Sequence, residues 1–236
     1  MKLHDSITDD LKQWIERQRV FFVASAPLSD RGRVNLSPKG YDALRIVDDK
    51  TLCYMDMSGS GNETSAHVQE NGRITIMFCA FEGGPRILRL YGQGEVLLPD
   101  DPKWEAYIST YFKDERLPGT RQIIVNHVDR VQTSCGYGVP FMDFKENRET
   151  LSDFFAKKGD EGSVEYMRRC SRASSIDNIP TPQGQKFDMQ EGNMARLSLS
   201  RFNLHVKSRL SSLLVGAFVG ICLACLTQML TVSSQF

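Results

Sequence analysis

An excess of charge of either sign is missing from this chain: across 236 residues, Lys plus Arg number 29 and Asp plus Glu number 29. A balanced chain lacks the basic footprint that nucleic acid demands, so no nucleic-acid partner is expected. Histidine is scarce as well. His4, His67, His127 and His205 are far apart in the chain, and no metal site is expected from them. Gly-x-Ser-x-Gly, Gly-x-x-x-x-Gly-Lys-Ser/Thr and His-Glu-x-x-His are absent, which removes the local signatures of hydrolases, phosphate-binding loops and zinc proteases. The six cysteines, Cys53, Cys79, Cys135, Cys170, Cys222 and Cys225, show no framework spacing. That favours a reducing compartment over a disulfide-stapled fold. The first ten residues have no apolar core and are too acidic for a transit peptide.

What is present is organised around residues 71–98. Ile74-Thr-Ile-Met-Phe-Cys-Ala-Phe81 is apolar on both faces, which suits a strand covered on both sides, as in a closed barrel. Gly83, Gly84 and Pro85 then turn the chain into an antiparallel partner. In that partner Leu88, Leu90 and Val96 point one way, and Arg89, Tyr91, Gln93 and Glu95 the other. Gly92 and Gly94 share the face of Leu90 and Val96. They leave a bare strip for a bend, another backbone or a flat ligand, of which a barrel bend is the plainer expectation.

Upstream, Ile7, Leu11, Trp14 and Ile15 recur at helical spacing, with Ser6 and Asp9 in capping-box register. This helix is expected on the outside of the barrel. Strands are expected at 20–26, 34–40 and 51–57, and Pro38 marks the second as an edge or a strand end. A polar loop, 58–64, leads to a short helix at 65–70. Downstream, Pro99-Asp-Asp-Pro102 starts a helix with Trp104, Ile108 and Tyr111 on its apolar side. A sixth strand covers 122–133, a glycine-rich irregular stretch covers 134–140, and helices cover 146–158 and 162–170, the first ending at Gly159. Six strands broken by turns and edged by helices argue for a mainly β fold, a small β-barrel with flanking helices, over residues 1–173.

Beyond it, Pro, Gln, Gly, Asn and Ser dominate, and residues 174–212 are expected to be a linker ending in a basic juxtamembrane segment. Residues 213–230 run uncharged for long enough to span a bilayer as a helix. Lys207 and Arg209 precede this run and no basic residue follows it. The positive-inside bias therefore keeps the N-terminal domain cytosolic, with residues 231–236 as the short tail of a C-terminal membrane anchor. Gly216-Ala-Phe-Val-Gly220 permits two such helices to approach closely and adds support for a homodimer. Cys222-Leu-Ala-Cys225 has redox-motif spacing but lies inside the span, where small side chains for helix contact explain it.

Three polar, glycine-bearing segments, 35–40, 58–64 and 135–140, carry the candidate chemistry. Their hydroxyls, amides and free backbone N–H groups suit a phosphate or the edge of a flavin ring. Candidate cofactor contacts are Asn35, Ser37, Lys39, Ser58, Gly59, Ser60, Asn62 and Thr64, with Lys39 as a point charge for an anion. The blocks Phe21-Phe-Val-Ala-Ser-Ala-Pro-Leu-Ser, Gly32-Arg-Val-Asn-Leu-Ser-Pro-Lys-Gly40, Ser58-Gly-Ser-Gly-Asn-Glu-Thr64, 70–82, 85–92 and Ser134-Cys-Gly-Tyr-Gly-Val-Pro140 together resemble the pyridoxamine 5′-phosphate oxidase-related proteins, in their uncharacterised branch. The resemblance runs over roughly residues 6–179. It implies a six-stranded FMN-binding split barrel, a homodimer with FMN between the subunits, a small-molecule substrate and flavin-dependent oxidoreductase activity.

The chain departs from the true oxidases at two places. Val34 falls where they carry the arginine of Arg-x-Val-Leu-Leu-Lys, and Asn62-Glu-Thr64 falls where they carry Ser-Arg-Lys. Losing two cationic contacts weakens or relocates phosphate binding and argues against pyridoxine phosphate as substrate. Arg73, Arg86 and Arg89 are the nearby substitutes. The alternative is a non-catalytic module that binds FMN or a tetrapyrrole.

For the anchor, full-length protein is expected to stay with membranes through a high-salt wash, while a chain ending at Ser200 is expected in the soluble fraction. Fractionation followed by immunoblotting measures this, and full-length protein in the supernatant would overturn the anchor.

Overall fold

The structure, a computed structural model, describes residues 1–170 and 174–192. Its elements run β1 (Lys2–His4), α1 (Asp9–Glu16), β2 (Phe21–Ser25), β3 (Asn35–Lys39), β4 (Leu44–Ile46), β5 (Thr51–Met57), α2 (Glu63–Asn71), β6 (Arg73–Cys79), β7 (Ile87–Leu97), α3 (Trp104–Phe112), β8 (Thr120–Ser134) and α4 (Thr150–Cys170). All strands belong to one antiparallel sheet in the order β3-β2-β6-β7-β8-β5-β4, and β1 also pairs with β8. Among the described residues eight strands form instead of the six expected. β1 and β4 have three residues each. Strands that short carry no periodic signal and exist only because β8 and β5 present free edges to pair with.

The sheet curls. β2 and β5 are separated in it by β6, β7 and β8, yet the Phe21 and Tyr54 rings meet edge-on with centroids 5.4 Å apart. The accumulated strand twist brings the two ends of the sheet around a shared interior. The result is a half-barrel whose β3 edge is tied to β5 by side chains.

Inside the curl lie Phe21, Val23, Leu52, Tyr54, Ile76, Phe78, Leu88, Leu90 and Ile124. Ile7, Leu11, Trp14 and Ile15 join this cluster, so α1 plugs the interior; the outer position expected for it is corrected. The cap also differs. Thr8, not Ser6, is the N-cap: its Oγ1 accepts from Leu11 N at 3.4 Å, while the Ile7 N–H before it donates to Asp49 O at 2.7 Å. On the opposite face, α3 lays Trp104, Ile108 and Phe112 over Cys53, Met55, Ile123 and Val125. The strands covered on both sides are therefore β5 and β8. In β6, Ile74, Ile76 and Phe78 are buried while Thr75 and Met77 are only half-buried, since α3 does not reach that far.

The central hairpin forms as its alternation indicates, with Ile76 opposite Leu90 and Phe78 opposite Leu88. Its glycine strip is filled by protein. A β-bulge interrupts the β7–β8 register at Tyr91/Gly92, which is the bend. A Cβ on Gly92 would lie 2.2 Å from His127 O, and one on Gly94 would lie 2.7 Å from a Val68 methyl of α2. Pro38 does sit in an edge strand, and Gly159 (φ 65°) does break the helical run 150–170.

Residues 174–187 lie in the stretch expected as a linker, and here they pack on the body. Ser174 bridges Pro180, Arg33 pairs with Asp177, Gln69 meets Gln185 at 2.9 Å and Lys186 meets Asp100 at 2.6 Å. This compact unit ends at Phe187. The described residues of the second unit, 188–192, are helical. The expected span 213–230, its Gly216–Gly220 and Cys222–Cys225 motifs and the tail 231–236 lie outside the described residues. Among the described residues no helix is long and apolar enough to cross a membrane.

Gly92→Ala is expected to lose roughly 1–3 kcal/mol, because the methyl meets backbone that cannot rotate away. Gly84→Ala, where a Cβ meets nothing within 4 Å, is expected to be near neutral. Urea midpoints of the two variants decide the comparison, and equal midpoints would count against the close approach of β7 and β8.

Candidate functional site

Asp56 stands between Met55 and Met57 in β5, a strand covered on both faces, and is only 2% exposed. A carboxylate there must be paired. Three elements supply the partners. Lys39 Nζ, from β3, donates to Asp56 Oδ1 at 2.7 Å. From β8, Arg121 Nε donates to Oδ2 at 2.9 Å and Gln122 Nε2 donates to Oδ2 at 2.7 Å. Burial by itself would raise the Asp56 pKa. The charges of Lys39 and Arg121, with the hydrogen bonds from Lys39 and Gln122, outweigh it and hold the carboxyl well below its usual range.

The expected cradle residues gather around this carboxylate. Gln122 Nε2 also donates to Asn62 Oδ1 at 2.9 Å, and Arg121 Nη2 donates to Gly61 O at 2.8 Å, which fastens the 58–64 loop to β8. Asn35 Nδ2 donates to Thr64 Oγ1 at 2.9 Å and to Ser25 Oγ at 3.2 Å, and Ser37 Oγ donates to Asn35 Oδ1 at 2.9 Å. Ser58 is buried with its N–H on Gly119 O at 2.9 Å, while Gly59 has open space around it and Ser60 is exposed. The segments 35–40 and 58–64 therefore form one polar cluster. Segment 135–140 does not join it by any hydrogen bond among the described residues. Gly136 (φ 73°) packs on Arg86, and the exposed Cys135 thiol is held below its usual pKa by the N–H groups of Tyr137 and Gly136.

Behind the cluster, Ser25 Oγ lies 3.0 Å from His67 Nδ1. His67 is wholly buried, and burial lowers its pKa against the opposing pull of the nearby carboxylates. Four buried polar atoms of this region, Ser58 Oγ, Asn62 Nδ2, His67 Nε2 and Arg121 Nη1, have no partner among the described residues. A cavity of about 1110 Å³ has Trp14, Phe22, Lys39, Tyr41, Phe81 and Phe144 in its wall. Lys39 thus borders both.

None of the arginines suggested as substitutes enters the cluster. Arg73 is held by Asn71 Oδ1 and Pro27 O, Arg86 by Asp10 at 3.0 Å, and Arg89 by Ser134 Oγ at 3.4 Å. The arginine that does enter, beside Lys39, is Arg121, which sequence reasoning missed. Asp56, a charged residue inside the largely apolar run 51–57, signals that a buried cation must meet it, but Arg121, in the polar start Thr120-Arg121-Gln122 of β8, carries no local mark of being that cation.

Because the Asp56 pKa is depressed in the fold, its contribution to stability is complete above about pH 4, the unfolded value, and is lost as pH falls below it. Asp56→Asn is expected to cost roughly 3–5 kcal/mol at neutral pH by stranding its cations. It should also flatten the fall in stability between about pH 4 and about pH 2. Urea unfolding across that range measures both, and an unchanged acid limb in the variant would contradict the assignment.

A curated protein of Aspergillus flavus, the pyridoxamine 5′-phosphate oxidase family protein ustO, is 41% identical over 150 residues, covering 62% of this chain. The chain spans 59% of that relative's length. Among solved structures, HupZ of Group A Streptococcus aligns with a TM-score of 0.45 at 26% identity, over 55% of this chain and 94% of HupZ. An FMN-binding protein of Syntrophomonas wolfei aligns at 0.37 and 12% identity, over 52% of this chain and 80% of its own. The profile of the family described as pyridoxamine 5′-phosphate oxidase matches residues 7–135, more than half of the sequence, and the chain belongs to that family.

Proposed function

We propose that this protein binds FMN as a homodimer and works as a flavin-dependent oxidoreductase on a small molecule other than pyridoxine phosphate. Family membership supports the cofactor, and the donor set in the polar cluster fits its phosphate. The observation that carries the proposal is the trio of buried polar atoms left without partners at the 58–62 turn and β8: Ser58 Oγ, Asn62 Nδ2 and Arg121 Nη1. All three can donate, and leaving such atoms unpaired costs about 1–3 kcal/mol each. A phosphate accepts from all of them. Asn35, Ser37, Lys39, Ser58, Gly59, Ser60, Asn62 and Thr64 would form the cradle.

When bound, the flavin supplies the hydride or electron transfer. The chain's own task is to orient and exclude. Lys39 stands between the polar cluster and the cavity, where it can meet an anionic group on either side. Trp14, Phe22, Phe81 and Phe144 offer apolar walls to a flat molecule in the cavity. The exposed edge of β3, with Val34 74% and Leu36 62% exposed, offers an apolar surface to a second copy. The uncharged run 213–230 would anchor the dimer to a membrane with the folded domain on the cytosolic side.

One observation favours a binding module without catalysis. The Glu63 carboxylate folds over Gly61, so close that a Cβ there would lie 2.2 Å from Glu63 Oε2, and a resident anion weakens the hold on phosphate.

Detergent-purified full-length protein is expected to show bound-flavin absorbance, which NADH or NADPH bleaches under anaerobic conditions. Colourless protein that takes up no FMN on titration would overturn the flavin proposal. Bound FMN that neither nucleotide reduces would move the assignment to the binding module.

A further inference from the structure

We infer that Arg121 is the phosphate-binding cation of this chain, relocated to β8 from the two positions where the sequence lacks one, and that Glu63 competes with the phosphate for it. The inference rests on the flavin proposal and names a residue outside the expected cradle.

Arg121 is 3% exposed. Its Nε is bound to Asp56 and its Nη2 to Gly61 O, while Nη1 is left over. A guanidinium fixed at two nitrogens has its third donor pre-aimed, with little rotamer freedom left to lose. The turn it grips carries the other two unpartnered groups, Ser58 Oγ and Asn62 Nδ2, and opens α2, a nine-residue helix. Asn62 is the N-cap position but its side chain caps nothing, since Gln122 holds its Oδ1. Its amide nitrogen is thereby free for a ligand. The N-terminal dipole of the helix adds to the same preference for negative charge.

The local charges decide how strong that preference is. Lys39 and Arg121 contribute two positive charges and Asp56 one negative, a sum of plus one. Glu63, half-buried at the first position of α2 with its carboxylate over Gly61, brings the sum to zero. Glu63 is the group an incoming phosphate must displace. Only the Glu63 side chain need swing aside, since Gly61 O and Asn62 Oδ1 stay held by Arg121 and Gln122.

The test is titration of full-length protein in detergent with FMN and with riboflavin, which differ only in the phosphate, and thermal unfolding with inorganic phosphate. Wild type is expected to prefer FMN. Arg121→Gln should reduce that preference by about 10-fold to 100-fold, the worth of a charged hydrogen bond, and leave riboflavin affinity nearly unchanged. Glu63→Gln should do the opposite and raise the FMN preference several-fold, an effect that a merely structural role does not produce. Circular dichroism confirms folding. If Arg121→Gln fails to fold, Glu63→Gln decides alone. A preference for FMN that survives Arg121→Gln, or that ignores Glu63→Gln, would overturn the inference. Should wild type bind neither flavin, the flavin proposal falls by itself. In that case, phosphate raising the melting temperature of wild type more than that of Arg121→Gln, or most of all that of Glu63→Gln, sustains the anion site; equal shifts in all three end it.

Discussion

A carboxylate held away from water inside the curled sheet is the constraint on which the rest depends. Asp56 can remain ionised there only while Lys39, Arg121 and Gln122 all reach it. Lys39 comes from one edge strand, and the other two come from β8. Satisfying one carboxylate therefore ties β3 to β5 across the open side of the half-barrel. The apolar interior, with Phe21 against Tyr54 and α1 wedged above, provides the driving force for curling. The ion cluster specifies where the curl stops.

The same constraint prepares the polar loop that follows β5. Arg121 and Gln122 spend part of their donor capacity on Asp56 and the remainder on Gly61 O and Asn62 Oδ1. The entrance to α2 is thus fixed in place with its own donors turned free. The structural ion pair and the proposed binding surface share residues, so the charges of Lys39, Asp56, Glu63 and Arg121 bear on both.

Much of this was legible in the residues. The alternation of 86–98, the Gly-Gly-Pro turn and the edge position signalled by Pro38 are local consequences of backbone chemistry, and they appear as they must. The polar character of 35–40 and 58–64 was equally plain. The blank strip at Gly92 and Gly94 was ambiguous because a glycine records only that something comes close; the backbone of β8 and the Val68 methyl turned out to be that something. α1 was placed on the wrong side of the sheet because an amphipathic helix states which of its faces is buried, and nothing about which face of a sheet receives it.

The sequence by itself determined the mainly β character, the central hairpin, the polar character of segments 35–40 and 58–64 and the family to which the chain belongs. These follow from periodicity, turn chemistry and block similarity, all of which act over a few residues. Only the tertiary structure decided that 35–40 and 58–64 meet while 135–140 stays apart, and that the arginine joining Lys39 there is Arg121 rather than Arg73, Arg86 or Arg89. Those outcomes depend on the register of β5 against β8 and on how far the sheet curls, where Asp56 stands opposite Gln122 and beside Arg121. Pairings across 65 residues of chain leave no periodic trace in either partner, because each strand satisfies its own pattern regardless of which strand lies beside it.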